Sequence, residues 1–191
     1  MNLDSATANW TSLIDDIREG RWISPLNGKK YPPAPYDQII MEESLRGKEA
    51  NLVKSLGFQP PFAIVSDSNT HNAMGARVAR ALSELGPVTE IILDKPHADM
   101  AAVRDLKQKL KGFSSVIAVG SGTVNDLTKF ATFQNDRRYC VFATAGSMNG
   151  YTSLTASITL DSGLKVSLPA QAPAGFFVDL EVCAAAPAYL N

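Results

Sequence analysis

Histidine and cysteine are scarce in this chain of 191 residues: it has two of each, His71 and His97, Cys140 and Cys183. The histidines lie in different segments without an H-x-x-x-H spacing, and the cysteines are far apart. No metal-ligand cluster can be read from such a set, and no disulfide framework either. Both cysteines sit in apolar segments and read as small buried hydrophobes in a reducing compartment. No Ser-His-Asp set is evident. Excess charge is missing too. Eighteen basic and nineteen acidic residues give a net charge of −1, and the basic residues are scattered. There is no electrostatic case for binding nucleic acid or an anionic membrane surface. No apolar run approaches the roughly 20 residues needed to cross a bilayer. The opening "MNLDSATANW" lacks the basic start and apolar core of a signal peptide. The chain is expected to be cytoplasmic. It shows no internal repeat and no low-complexity tract.

What is present is a regular alternation. Leu3 to Arg18 carries apolar residues at helical spacing from Trp10 onward and predicts an amphipathic helix. "SPLNGKKYPPAPYD" has four prolines and a glycine and reads as an irregular connection, so residues 1–37 stand apart from 38–191. A short strand is expected over Gln38 to Met41 and a helix over Gly47 to Leu56. Strands then alternate with helices: "PFAIVSD", Asn69 to Leu85, "VTEIILD", Ala98 to Leu110, "SSVIAVG", Val124 to Phe133, "RYCVFAT". Such alternation predicts βαβ units and an α/β fold of Rossmann-like type, a mostly parallel sheet with helices on both faces. "FAIVS" and "VIAV" lack polar alternation, as expected of strands covered on both sides. After Thr144 two alternating runs flank Asp161-Ser162-Gly163 and predict a β-hairpin near the C-terminus. "GFFVDL" is a further strand, and a helix is expected from Glu181 to Ala186.

The most informative stretch is "SVIAVGSGTVNDLTKFAT". A buried strand gives way at Gly120-Ser121-Gly122 to a helix. In a doubly wound sheet, ligands bind outside the carboxyl ends of the strands. A helix N-terminus there offers unpaired N–H groups and partial positive charge to a phosphate, and glycine lets the backbone come close. The pattern is G-x-G-x-x-N and not a P-loop, since no Gly-Lys-Ser/Thr follows. The same glycines would also serve a plain tight turn. In the next loop, "FATAGSMNGYTS", Thr144, Ser147, Asn149, Thr152 and Ser153 crowd polar donors at another strand's carboxyl end, which again fits either a ligand or an ordinary polar turn. Asp67, at the end of "AIVSD", is placed to accept from a ribose hydroxyl pair and to repel a 2′-phosphate, favouring NAD over NADP. Helix capping by Asp67 or Ser68 is the alternative.

"GSGTVNDLTKFAT", then "TAGSMNGYTS", then "FFVDLEVCAAAP" resemble the superfamily of metal-dependent (iron-containing) polyol dehydrogenases and dehydroquinate synthases. The glycerol-1-phosphate dehydrogenase branch fits best, from about Gln38 to the C-terminus. The resemblance implies that 38–191 is an NAD(P)-binding domain, with Gly120, Ser121, Gly122, Thr123, Val124, Asn125 and Asp126 along the pyrophosphate. It also implies dinucleotide contacts from Thr144, Ser147 and Ser153. It puts Asn149 close to substrate and nicotinamide, where the family usually has an aspartate; an amide cannot act as a base or carry that charge. The family's metal ligands, one acid and two histidines in a helical domain, would lie beyond Asn191. A Zn²⁺ or other divalent ion is therefore expected only in a longer protein, and none among these residues.

Three functions follow. The first is the nucleotide-binding domain of an oxidoreductase that reduces dihydroxyacetone phosphate, or a related small phosphorylated ketone or polyol, as in phospholipid biosynthesis. The second is a dinucleotide-binding module without turnover. The third is a lyase resembling dehydroquinate synthase. A homodimer is compatible with each.

Overall fold

The structure is a computed structural model that describes residues 10–31, 33 and 35–190. The strands β1 (Gln38–Glu42), β2 (Phe62–Asp67), β3 (Val88–Leu93), β4 (Ser115–Gly120), β5 (Tyr139–Ala143) and β8 (Gly175–Asp179) form one sheet in the order β1-β8-β5-β4-β2-β3. Every pairing in it is parallel. β6 (Thr155–Thr159) and β7 (Lys165–Pro169) form a separate antiparallel hairpin.

Residues of the central strands alternate between two cores, both apolar. Ala63, Val65, Val116, Ala118, Val141 and Ala143 face one side. Phe62, Ile64, Ile117, Val119, Cys140 and Phe142 face the other. A strand covered on both faces has no polar side to show, which is why its sequence lacks alternation. The first core is closed by α5 (Met100–Lys109), α6 (Gly122–Phe133) and the hairpin; the second by α2 (Glu49–Ser55) and α4 (Ala76–Ser83). Phe142 and Phe177 meet at 4.9 Å between ring centroids in the second core. Fully burying one such ring is worth about 1.5–3 kcal/mol.

The connection after β2 runs outward to β3, crosses back over β2 to β4, and continues through β5 to β8 on the other side. The chain therefore leaves in opposite directions on either side of the β2–β4 boundary. A crevice opens at such a reversal, at the carboxyl ends of the strands.

Several expected elements are displaced. The helix expected over Asn69 to Leu85 starts earlier, as α3 (Ser68–Thr70), and passes through a π turn, His71–Gly75, before α4. The helix expected from Val124 begins at Gly122, so the second glycine is its first residue. α7 spans Leu180–Ala184. The N-terminal helix α1 spans Trp10–Arg18; Leu3 and the rest of its expected start lie outside the described residues. Among the described residues no helix is long and apolar enough to cross a membrane.

Candidate functional site

β4 ends at Gly120, and α6 starts two residues later with Ser121 as its N-cap. The Ser121 side chain makes no capping hydrogen bond. The first bond of the helix type runs from the Asn125 N–H to the Ser121 carbonyl at 2.9 Å. The N–H groups of Gly122, Thr123 and Val124 precede it at the positive end of the helix dipole, the arrangement that binds anions.

The two glycines have different duties. A Cβ on Gly120 would stand 2.6 Å from Val124 Cβ and 2.9 and 3.0 Å from its two methyls. Gly120 thus lets α6 sit tightly on β4. A Cβ on Gly122 would meet nothing nearer than Met148 Cγ at 3.6 Å. Gly122 keeps backbone open rather than relieving a clash within the fold.

Across the reversal, Asp67 ends β2 and caps α3. Its Oδ1 accepts the Thr70 N–H at 2.8 Å, and its own N–H donates to Thr70 Oγ1 at 3.0 Å. One carboxylate oxygen is therefore committed to the cap, and the Asp67 side still lines the crevice. Asp67, Ser68, Asn69, Asp94, Lys95, His97, Ser121 and Thr123 surround a hollow of about 540 Å³. A second hollow of about 530 Å³ shares Asp67, Asn69 and Ser121 with the first and runs on past Thr144 and Arg77 to Glu181 and Pro187.

The remaining candidates fall in four groups. Thr144 is buried beside the glycine turn, its N–H donating to the Gly120 carbonyl at 3.3 Å. Ser147 is exposed and donates to the Leu190 carbonyl at 2.6 Å. Val124 and Asn125 turn their side chains into the core; Asn125 Oδ1 accepts from Tyr139 Oη at 3.2 Å, so only backbone is available at these two positions. Asp126, Asn149 and Ser153 border a third hollow of about 310 Å³ with Met148 and Gly150. The Asp126 carboxylate accepts the Ser157 N–H of the hairpin at 3.1 Å. Burial raises the Asp126 carboxyl above its ordinary value, opposed by the Ser157 N–H and by Lys129.

Three groups of residues escaped the sequence reading. Lys95 and His97 follow β3, and only the strand order brings that loop to the crevice. Arg77 on α4 reaches Glu49 at 2.6 Å and Asp179 at 2.5 Å beneath the second hollow. Burial would raise the Asp179 carboxyl, but Arg77 and the N–H groups of Leu45 and Val182 outweigh it and hold it below its ordinary value. Lys129 is fully buried in α6. A lysine three residues after Asp126 within an apolar helix was the visible signal for it. Among the described residues no three His, Cys, Asp or Glu side chains converge as a metal site would require.

Comparison with known proteins gives a family and a fold. A sequence profile of iron-containing alcohol dehydrogenases matches residues 40–187. Glycerol-1-phosphate dehydrogenase [NAD(P)+] of Bacillus subtilis is 32% identical over 167 residues, which cover 84% of this chain and 42% of that protein. The chain thus spans less than half the length of this curated relative. Among solved structures, glycerol dehydrogenase of Schizosaccharomyces pombe superposes with a TM-score of 0.69 at 20% identity, covering 81% of this chain and 40% of that one. A 2-deoxy-scyllo-inosose synthase complexed with carbaglucose-6-phosphate, NAD+ and Co2+ superposes with a TM-score of 0.66 at 15% identity, covering 78% and 43%. These superpositions establish a shared fold.

Proposed function

The chain belongs to the iron-containing alcohol dehydrogenase family, and on that premise we propose that it is the nucleotide-binding part of an NAD(P)-dependent oxidoreductase of the glycerol-1-phosphate dehydrogenase type. Residues 38–191 would form that part, with 1–37 as a segment preceding it. The observation that carries the reading is the convergence, at the β2–β4 reversal, of an uncapped helix N-terminus, an open glycine and a carboxylate. These groups fit a dinucleotide. Its pyrophosphate would lie on the N–H groups of Gly122 to Val124, and Asp67 would take a ribose hydroxyl pair.

Hydride transfer is the chemistry the nicotinamide supplies when bound. The chain's own residues bind and orient it. Lys95 and His97 line the same hollow as Asp67 and would face the adenosine end. The relative's name points to glycerol 1-phosphate, and oxidation of its secondary alcohol would give dihydroxyacetone phosphate as the other member of the pair. A metal ion does not fit the described residues, which offer no cluster of ligands.

Asn149 favours a second reading, a module that binds the dinucleotide without turnover, because an amide is neither base nor charge at that position. One measurement serves both. Titration of the purified chain with NADH and with NADPH, followed by cofactor fluorescence, is expected to saturate at one site. No binding at millimolar cofactor would overturn both readings.

A further inference from the structure

Lys129 is a charged side chain with no exposed surface, in the middle of a helix otherwise packed on β4 and the hairpin. A lysine is seldom fully buried unless its charge is met. Its ammonium lies 2.7 Å from the Gly150 carbonyl, 3.0 Å from both the carbonyl and the hydroxyl of Ser153, and 3.2 Å from the Thr155 carbonyl. Three N–H groups are thus shared among four oxygens, three of them main-chain. An apolar side chain here would fill the same space between α6 and β6. It would take the ammonium's donors away and leave the Gly150 and Thr155 carbonyls only the bonds from Ser153. The charge is spent on holding one turn of backbone, Gly150 to Thr155.

That turn closes the second polar loop. Within the loop the Tyr151 hydroxyl reaches the carbonyls of Gly120 at 3.1 Å and Ala145 at 3.2 Å. Tyr151 also stacks on Phe176, at 5.1 Å between centroids. Met148, one residue before Asn149, is the side chain lying over Gly122. The position of Met148 over the glycine turn therefore depends on where Gly150 to Thr155 is fastened.

We propose that Lys129 is a positioning residue: by gripping Gly150, Ser153 and Thr155 it fixes the Ala145–Asn149 loop against the glycine turn and so sets the affinity of the crevice for a dinucleotide. The inference rests on the dinucleotide reading above. Burial lowers the ammonium to about 8, with Asp126 offsetting part of the effect. Lys129 remains a cation at neutral pH, as the grip on the loop requires.

The test compares the whole chain with Lys129→Met, which keeps the volume, and with Ser153→Ala, a milder change that removes one of the four oxygens together with that hydroxyl's own contacts to the Gly150 and Thr155 carbonyls. Amide hydrogen exchange is followed by peptide, and NADH is titrated on the same samples. In Lys129→Met, exchange over 145–155 is expected to rise about tenfold or more while β2, β4 and β5 stay protected. The NADH dissociation constant should rise by about tenfold or more, and Ser153→Ala should shift both in the same direction by less. Unchanged exchange over 145–155 in Lys129→Met overturns the positioning role whatever the cofactor does. A loosened loop with unchanged NADH affinity overturns its link to the site. If Lys129→Met does not fold, Ser153→Ala with unaltered loop exchange and affinity overturns the proposal alone. Failure of the unmodified chain to bind NADH sinks the proposed function instead, and exchange still reads the loop.

Discussion

Replacing Gly120 and Gly122 one at a time by alanine separates a packing glycine from a contact glycine. A methyl on Gly120 would lie 2.6 Å from Val124 Cβ, with both Val124 methyls within 3.0 Å. Ordinary carbon contacts are about 3.5–4.0 Å. Val124 cannot swing clear, because a β-branched side chain in a helix has essentially one rotamer. The start of α6 must therefore move off β4 by the better part of an ångström. Overpacking of this kind costs about 1–3 kcal/mol, which for a chain of this size lowers the melting temperature by roughly 3–10 °C. Gly120→Ala should also weaken cofactor binding, since the N–H groups of the turn move with the helix. At Gly122 the nearest atom to a new Cβ is 3.6 Å away and φ is not in the left-handed region. Gly122→Ala should then leave stability unchanged or raise it by about 0.5 kcal/mol through the unfolded chain. It should still weaken NADH by about tenfold or more, by holding a phosphate away from the backbone. Urea unfolding and NADH fluorescence on both variants read the two effects. A Gly120→Ala protein as stable as the parent would refute the packing argument. Unaltered affinity in Gly122→Ala would mean the turn does not touch the ligand.

Three further outcomes are expected. Asp67→Asn keeps an N-cap oxygen for Thr70 and removes the charge, so stability should hold while the NADPH-to-NADH ratio of dissociation constants falls several-fold; an unchanged ratio removes Asp67 from cofactor choice. Asp179→Asn leaves Arg77 with Glu49 alone and should cost about 3 kcal/mol at neutral pH, near the low end for a broken buried pair. The folded carboxyl lies below its ordinary 3.8. The unfolded chain therefore binds the proton first, and the stability Asp179 contributes is present above about pH 4 and lost as pH falls through the lowered value. The gap between parent and Asp179→Asn in urea midpoints should shrink over that range, and a gap independent of pH would contradict the ion pair. Finally, NADH oxidation with dihydroxyacetone phosphate and added Zn²⁺ or Ni²⁺ should not exceed a boiled control for this chain, because its described residues gather no ligand set. Metal-dependent turnover would show that a site has been missed.

Much of the scaffold was legible because the relevant signals are local. A strand covered on both faces must be apolar along its covered stretch, as β2 is over 62–65, β4 over 116–119 and β5 over 140–143. The hairpin is announced by alternation around Asp161 to Gly163, where Gly163 takes φ +84°. The glycine turn could be found for the same reason, since two glycines between a buried strand and a helix limit the backbone wherever they occur. Which groups share a crevice was a different matter. Asp67, Lys95 and Ser121 meet only because β4 returns past β2, and strand order follows from crossovers that leave no mark in any one segment. Asn125 and Asp126 are neighbours in the sequence and equally polar. Tyr139 draws the one into the core and the hairpin holds the other at its rim. Lys129 shows the division most plainly. Its place in an apolar helix signals that something must meet its charge, whereas the oxygens that do so lie 21 to 26 residues further along the chain. Only the packing of the hairpin over α6 brings them within reach, since a buried charge selects its partners by distance in space.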